Sequence, residues 1–295
     1  MNTPLLLLLY NRPKYTKKLI STLSYIKPKQ IFISIDGPVD EFDKLKIKNI
    51  RNLIKTNITW KSKIKFKINK KNLGCRRAVS EAISWFFNHV NYGIILEDDI
   101  LPSKCFFDFC SKLLIKFSKN KKISMITGFN PINSENSENL NYFASNNFPI
   151  WGWATWKDRW KKYTPNINKK NIIALYKKQK KEIGFLQAIF NYNKFISNKY
   201  HWRDTWDIQW VFLCMNLKSY CITPQTNLVF NQDDKYFKLK KVSFNKKYKL
   251  KHTKKVKLNR EYDNQLFEKY NKNHIVRVII KNIIGLIKEK FTFSI

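Results

Sequence analysis

Three consecutive carboxylates, Glu97, Asp98 and Asp99, end an apolar run at residues 93–96 in a chain otherwise dominated by basic residues. Carboxylate oxygens at the end of a buried strand are suitable ligands for a hard divalent cation, Mn²⁺ or Mg²⁺. The cleft at the carboxyl ends of such strands also admits phosphate. Side chains alternate along an extended chain, so Asp98 points away from Glu97 and Asp99 and can bind a ribose or sugar. A solvated turn that caps the next helix is the alternative interpretation.

A second candidate site is the turn at residues 72–77. Gly74 permits a tight turn at the start of a predicted helix, where free N–H groups would face Arg76 and Arg77. Helix N-terminal N–H groups and guanidinium groups both bind anions, so the turn containing Asn72 and Gly74 is a reasonable place for a diphosphate. The alternative is a surface turn with solvated arginines.

Tryptophans cluster between residues 148 and 160, where Gly152 lies between Trp151 and Trp153. Aromatic rings pack well on the C–H face of a sugar. A glycine between two tryptophans suggests a binding-site wall that a ligand approaches closely. The alternative is that these tryptophans belong to the core, which is the usual place for large aromatic residues.

A second aromatic segment covers residues 201–210 and includes Trp206. It carries Asp204 and Asp207, and carboxylates among tryptophans are expected to be partly desolvated. Desolvation raises a carboxylate pKa and suits a general base. The alternative places both acids on the solvent face of a helix.

The elements that must position these residues follow an alternating pattern. Apolar runs at 4–10, 31–35 and 93–96 and a more polar run at 63–68 predict strands, and apolar residues at helical spacing lie between them. Strand–helix alternation predicts an α/β fold with a mostly parallel sheet flanked by helices, at whose carboxyl edge Asn11, Arg12, Asp36 and the three carboxylates would meet. Further strands are predicted at 123–128, 219–223 and 226–230, and a polar loop at 133–147.

The formal net charge of +36 over 295 residues suggests an anionic partner. Lysine supplies nearly all of this positive charge. Arginine, the residue best suited to recognising phosphates and bases, is scarce. Carboxylates at a phosphate groove also repel nucleic acid, so no specific nucleic-acid partner is expected. The five cysteines form no Cys-x-x-Cys pair, which indicates free thiols and a reducing, cytoplasmic setting. The first nine residues are interpreted as a strand and not as a signal peptide.

The C-terminal part of the chain is strongly basic. Residues 235–260 contain twelve basic residues and no acid, and residues 275–287 have the pattern of a basic amphipathic helix. Such a helix could lie on an anionic membrane, which would place the protein peripherally at the inner face of that membrane. A solvated tail with a docking helix is the equally supported alternative.

Taken together, residues 4–232 resemble GT-A-type (Rossmann-like) nucleotide-diphospho-sugar glycosyltransferases, specifically bacterial relatives of N-acetylglucosaminyltransferase I. The motifs occur in that family's order: Tyr-Asn-Arg-Pro at 10–13, Ile-Asp-Gly at 35–37, Leu-Glu-Asp-Asp at 96–99, Phe-Pro-x-Trp-Gly-Trp at 148–153 and Thr-Trp-Asp-x-Gln-Trp at 205–210. The resemblance implies a glycosyltransferase domain at 1–234 (nucleotide-binding half to about 130, acceptor half from about 131). The basic extension at 235–295 has no counterpart in that family.

The resemblance also implies roles for individual residues. Arg12 would contact the nucleotide, Asp36 the nucleoside, Asp98 the ribose and Glu97 the donor sugar, with Asp99 as the direct metal ligand. Trp151, Gly152 and Trp153 would form the acceptor wall, with Trp206 nearby. Asp207 or Asp204 would be the catalytic base. The family has two adjacent acids at this point, whereas Ile208 follows Asp207 here, so the choice between them stays open.

The expected function is a metal-dependent, inverting hexosyl- or N-acetylhexosaminyl-transferase that moves a sugar from a nucleotide-diphosphate sugar to a hydroxyl of a glycan or lipid-linked acceptor, in surface-polysaccharide synthesis. The competing interpretation is a non-catalytic basic protein that binds an anionic membrane or nucleic acid.

Overall fold

Five consecutive leucines form the first strand, β1 (Leu5–Leu9), and all five are buried. The computed structural model describes residues 1–132, 139–200, 204–235, 249–250 and 256–271. Two compact units are present, residues 1–165 with 204–259 and residues 166–203 with 260–295. The expected domain boundary at 234 stays a prediction.

The first unit alternates strands and helices through most of its length. Its elements after β1 are α1 (Pro13–Ile26), β2 (Gln30–Ile35), α2 (Glu41–Asn57), β3 (Lys63–Ile68), α3 (Gly74–His89), β4 (Tyr92–Glu97), β5 (Ile100–Pro102), α4 (Lys104–Lys116), β6 (Ile123–Thr127), β7 (Asn139–Leu140), β8 (Tyr142–Ser145), β9 (Trp153–Trp156) and α5 (Lys157–Trp160). They continue with α8 (Asp207–Asn216), β10 (Tyr220–Pro224), β11 (Val229–Asn231) and β12 (Lys249–Leu250).

Eight of these strands form one sheet in the order β3-β2-β1-β4-β9-β6-β10-β8. The strands β3, β2, β1 and β4 are mutually parallel, and β6 is parallel to β10. The predicted α/β class with a mostly parallel sheet is therefore confirmed. Two small additional sheets pair β11 with β5 and β12 with β7.

The strand β9 was not predicted. It inserts antiparallel between β4 and β6, and all four of its residues are buried. A strand buried on both faces shows no alternation of polar and apolar residues, so the period-2 signal is missing. The N-terminal end of β9 lies beside the carboxyl ends of β4 and β6, because its direction is opposite to theirs.

The predicted loop at 133–147 is wrong for part of its length. The strand β8 pairs antiparallel with β10, and β7 pairs with β12. The strand signal was missed because both strands are short and surrounded by asparagine and serine. Residues 133–138 lie outside the described residues.

The second unit contains a helical hairpin, α6 (Lys169–Glu182) and α7 (Phe185–Tyr200), together with α9 (Arg260–Leu266) and a π-helical turn (Phe267–Asn271). The predicted amphipathic helix at 275–287 lies outside the described residues. In the part of the chain that the structure describes, no helix is both long enough and apolar enough to cross a membrane.

Candidate functional site

The carboxyl ends of β1, β2 and β4 lie side by side. Leu9 is in register with Ile35, and Leu8 with Glu97. The residues that follow these strands, Arg12, Asp36 and the three carboxylates, therefore occupy one edge of the sheet, as ligand-binding residues do in open α/β sheets.

Arg12 lies among three carboxylates. Its Nη1 is 3.5 Å from Asp98 Oδ1, 3.2 Å from Asp99 Oδ2 and 3.4 Å from Asp233 Oδ2. Burial lowers the pKa of Arg12, but the charges of Asp98, Asp99 and Asp233 outweigh burial and raise it. The guanidinium is half-exposed, so a phosphate could still reach it from solvent.

Asp233 was missed by the sequence analysis. The pairing of β11 with β5 places Asn231 opposite Ile100, and the backbone N–H of Gln232 then donates to the carbonyl of Asp99 at 2.9 Å. Asp233 follows directly and also accepts a hydrogen bond from the Tyr15 hydroxyl. The adjacent acids at 233–234, just after a predicted strand, were the signal that could have identified this segment.

The cluster of carboxylates carries more negative charge than Arg12 neutralises. Burial raises the pKa of Glu97 to about 8, and the charges of Asp99, Asp98 and Asp207 contribute further. Burial raises the pKa of Asp98 to about 7 against the opposing effect of Arg12. The pKa of Asp99 is raised for the same reason. The Glu97 carboxylate makes no hydrogen bond or ion pair with any described residue, and such a site favours an added cation.

A divalent metal fits this cluster at one position. The Oδ1 atom of Asp99 is buried and has no hydrogen-bond partner among the described residues, so it can serve as a ligand. The described residues contain no group of three or more His, Cys, Asp or Glu side chains arranged to hold a metal ion. Mg²⁺ is commonly held by one or two carboxylates together with substrate phosphates and water, and the donor set around Asp99 suits that mode.

Asp36 and Asn72 build the turn before α3. The Asp36 carboxylate accepts hydrogen bonds from the N–H groups of Gly37 at 2.9 Å and Leu73 at 3.2 Å. The Asn72 side chain donates to the Gly37 carbonyl at 3.0 Å and accepts from the Gly74 N–H at 3.0 Å. Both side chains are thus committed to local structure, and their expected contacts with a nucleotide stay predictions.

Asn11 connects the turn after β1 to the next helix. Its side-chain amide donates to Asp43 Oδ1 at 2.8 Å, and the hydroxyl of Tyr10 also donates to Asp43. Asp43 lies in the first turn of α2, where Asp40 is the N-cap. These bonds fix the backbone from which Arg12 projects.

Asp204 caps α3 from a distant part of the sequence. Its Oδ1 accepts the N–H of Arg76 at 3.1 Å and lies 3.8 Å from the Arg76 guanidinium. Gly74 has φ +75°, and a Cβ there would lie 2.5 Å from Asp204 Oδ2. Arg77 instead points along the helix surface, where it forms an exposed ion pair with Glu81 at 2.7 Å.

Asp207 lies close to the other acids of this edge. It begins α8, and Oδ1 accepts a hydrogen bond from the Thr205 hydroxyl. Its charge contributes to the raised pKa of Glu97. Burial, followed by the charges of Glu97, Asp204 and Asp207, raises the pKa of Cys75 to about 12, although by its accessible surface this residue is exposed. The structure therefore places Asp204 at the α3 turn and Asp207 where its charge acts on Glu97.

The tryptophans divide into two groups. Trp153 and Trp206 are 1% and 2% exposed and stack at 5.6 Å between ring centroids, which favours the core interpretation for both. Trp151 is partly exposed and packs edge-to-face on Phe129 at 4.6 Å. Gly152 is buried, and its carbonyl accepts the N–H of Gly128 at 2.8 Å. Whether any of them contacts an acceptor stays a prediction.

Comparisons with known proteins give only distant similarity. No protein-family profile and no curated protein matches the chain. A UDP-glucose pyrophosphorylase complexed with UDP-glucose is 8% identical, has a TM-score of 0.38, and aligns over 79% of this chain and 94% of that one. The 4-diphosphocytidyl-2C-methyl-D-erythritol synthase of Anaerococcus prevotii is 11% identical, with a TM-score of 0.32 over 60% and 76% of the two chains.

A Bacillus anthracis protein described as a glucose-1-phosphate thymidylyltransferase, solved with a sucrose, is 10% identical, with a TM-score of 0.32 over 54% and 73% of the two chains. The names of these three proteins describe nucleotidyl transfer or nucleotide-sugar synthesis, and none describes glycosyl transfer. At these scores the similarity carries no conclusion about what this chain binds or transforms.

Proposed function

We propose that this chain is a GT-A-type glycosyltransferase that moves a sugar from a nucleotide-diphosphate sugar to an acceptor hydroxyl. The observation that carries the proposal is the buried Oδ1 of Asp99, which has no hydrogen-bond partner in the described part of the chain and lies beside Arg12 at the carboxyl edge of the sheet. A carboxylate there can share a cation with a diphosphate, while the guanidinium contacts the phosphate directly.

Donor binding is assigned to the residues around this edge. Asp98 accepts hydrogen bonds from the ribose and Glu97 from the donor sugar, as the resemblance to GT-A-type glycosyltransferases implies. The α3 turn with Gly74 and Arg76 faces the diphosphate. The remaining donor-side residues support these contacts: Asn11, Arg12, Asp36, Asn72 and Arg77.

The transfer step requires a base and a stabilised leaving group. The acceptor oxygen attacks the anomeric carbon, the bond from that carbon to the diphosphate oxygen breaks, and Asp207 takes the acceptor proton. When bound at Asp99, Mn²⁺ or Mg²⁺ would neutralise the charge of the departing diphosphate. Arg76 and Arg12 contribute further positive charge on the same side. Attack from the face opposite the diphosphate inverts the anomeric centre.

The acceptor is assigned to the side of the sheet edge formed by Trp151 and Gly152. Trp151 offers the partly exposed ring of this group, and it could cover the apolar face of an acceptor sugar. The acceptor class is a glycan or lipid-linked saccharide in surface-polysaccharide synthesis. A cytoplasmic location with peripheral membrane contact through the extension at 235–295 completes the proposal.

A thermal-shift screen of nucleotide sugars with and without Mn²⁺ tests donor binding. A ligand that binds only the folded state raises Tm by mass action. We expect metal-dependent stabilisation by at least one nucleotide sugar in the parent and its loss in Asp99→Asn. Asp158→Asn, on the surface of the same unit and paired with Arg159, is the control and should keep the shift. Stabilisation that is equal with and without metal would contradict the proposal.

A further inference from the structure

The turn between α6 and α7 exposes a short apolar surface. Gly184 has φ +86°, and a Cβ at this position would meet no atom of the described residues within 4 Å. Phe185 and Leu186 follow directly and are 50% and 44% exposed. Ile183 before the glycine is partly exposed. Residues 183–186 are called the hairpin tip below.

The helices behind the hairpin tip already have a core of their own. Ile172 and Leu175 of α6 are buried, and the rings of Tyr176 and Tyr192 pack at 5.3 Å between centroids. On the other side of α7, the rings of Phe190 and Phe267 pack at 6.0 Å. The apolar side chains that hold this unit together are therefore distinct from Phe185 and Leu186.

Positive charge surrounds the hairpin tip. The helix α6 carries six lysines and one acid, Glu182, in 14 residues. Lys177, Lys180 and Lys181 in its C-terminal half are exposed, and the ammonium of Lys180 lies 5.7 Å from the ring centroid of Phe185. Exposed phenylalanine and leucine beside lysine ammonium groups match the interface of an anionic bilayer, where apolar side chains enter the headgroup region and lysines reach the phosphates.

We propose that the hairpin tip docks on an anionic lipid bilayer. Phe185 and Leu186 insert at the headgroup boundary, and Lys177, Lys180 and Lys181 contact lipid phosphates and carboxylates. Single-stranded nucleic acid would use the lysines and the phenylalanine ring, but it would leave Leu186 and Ile183 without a role, because base stacking needs aromatic faces. The residues of this surface lie outside the extension at 235–295 in the sequence, and the proposal does not require glycosyl transfer to be correct.

Sedimentation of the full-length chain with phosphatidylcholine vesicles, with and without phosphatidylserine, tests this proposal. We expect binding only when phosphatidylserine is present, and weaker binding as salt increases. Phe185→Ser with Leu186→Ser should lower the partition coefficient about tenfold or more, since each side chain loses its apolar transfer to the bilayer. Lys177→Gln with Lys180→Gln and Lys181→Gln should lower it by about a hundredfold at low salt.

Matched controls lie on α2. Phe42 is 66% exposed near the start of that helix, and the Lys46 ammonium lies 4.3 Å from its ring centroid, so it resembles the pair of Phe185 and Lys180. Because the acids Asp40 and Glu41 lie beside Phe42, we expect Phe42→Ser to leave vesicle binding unchanged. The triple variant Lys44→Gln, Lys48→Gln and Lys55→Gln makes the same change in net charge as the triple lysine variant of α6. We expect it to lower the vesicle partition coefficient much less. A comparable loss in these controls would show that the charge acts without a specific surface and would overturn the proposal.

Three further results would also overturn it. The first is unchanged vesicle binding by the Phe185→Ser, Leu186→Ser variant with an unaltered circular dichroism spectrum. The second is tight binding of single-stranded RNA that the same variant loses, which would assign the tip to nucleic acid. The third is a dimer of the parent in sedimentation velocity that the variant dissociates, which would assign the tip to a second copy of the chain.

Discussion

The carboxylate of Asp204 accepts a hydrogen bond from the backbone N–H of Arg76 at 3.1 Å, although the two residues are 128 positions apart. The bond connects the segment before α8 to the N-terminus of α3, whose own N-cap residue provides no side-chain hydrogen bond. The segment that carries the candidate base is thereby anchored to the turn proposed for the diphosphate.

The first prediction concerns this cap. Asp204→Ala removes the acceptor from the N-terminus of α3 and should lower the free energy of unfolding by about 1 kcal/mol, the usual cost of losing a cap. Asp204→Asn keeps a side-chain oxygen and should cost less. Urea denaturation measures both. Asp108→Ala, which removes only an exposed ion pair with Lys112, is the control; an equal loss there would contradict the capping role.

The second prediction compares two glycines in left-handed conformations. Gly184→Ala should lower the free energy of unfolding by about 1 kcal/mol, the cost of placing alanine at a φ of +86°. Gly74→Ala meets a similar cost and also places a Cβ 2.5 Å from Asp204 Oδ2. We therefore expect a larger loss of unfolding free energy at Gly74 and non-additive losses in the Gly74→Ala, Asp204→Ala double variant. Equal losses at the two glycines would show that Asp204 does not constrain the turn.

The third prediction separates core tryptophans from an acceptor wall. Trp206→Ala should lower the free energy of unfolding by about 3–5 kcal/mol, since the ring is buried against Trp153. Trp151→Ala should cost less, about 1–2 kcal/mol, because the ring is partly exposed and packs edge-to-face on Phe129. In a transfer assay with an identified acceptor substrate, Trp151→Ala should raise the acceptor KM and leave donor binding unchanged. An unaltered acceptor KM would remove Trp151 from the acceptor site.

The fourth prediction concerns the base. Asp207→Asn should reduce turnover by about two to four powers of ten with little change in donor affinity, as expected for a positioned general base. Asp204→Asn should reduce turnover much less and act mainly on acceptor binding. Steady-state kinetics of transfer distinguish the two residues. A larger loss of turnover at Asp204 would reverse the assignment, and unchanged turnover in both variants would place the base elsewhere.

The sheet was predictable because its strands are apolar runs ended by charged or polar residues. A continuous apolar run such as Leu5–Leu9 is typical of a parallel strand that is buried on both faces. The same reasoning placed Arg12 and Asp36 at the carboxyl edge, since the ends of parallel strands meet there.

Contacts between distant segments could not be predicted in this way. Asp233 reaches Arg12 because β11 pairs with β5. A strand was predicted at 226–230, but the three-residue strand β5 and its pairing with β11 leave no local sequence signal. Trp153 stacks on Trp206 because β9 inserts between β4 and β6. Tertiary pairing, and not local pattern, decided which tryptophan remained partly exposed.

The contribution of the basic extension is better tested by substitution than by truncation. Removing the chain after Gln232 would delete the π-helical turn that packs on α7 and the backbone bonds between Ala144 and residues 257–259. Loss of these contacts would destabilise the protein and obscure any change in membrane binding.

The most direct test of the account is the product formed from a nucleotide sugar in the presence of Mn²⁺. Glycosyl transfer or its hydrolytic side reaction releases a nucleoside diphosphate. Nucleotidyl transfer, with pyrophosphate also supplied in the assay, would instead give a nucleoside triphosphate and a sugar 1-phosphate. We predict nucleoside diphosphate from the parent, none without metal, and none from Asp99→Asn, whose free energy of unfolding should be close to that of the parent. Nucleoside triphosphate as the product, or full activity in Asp99→Asn, would contradict the account.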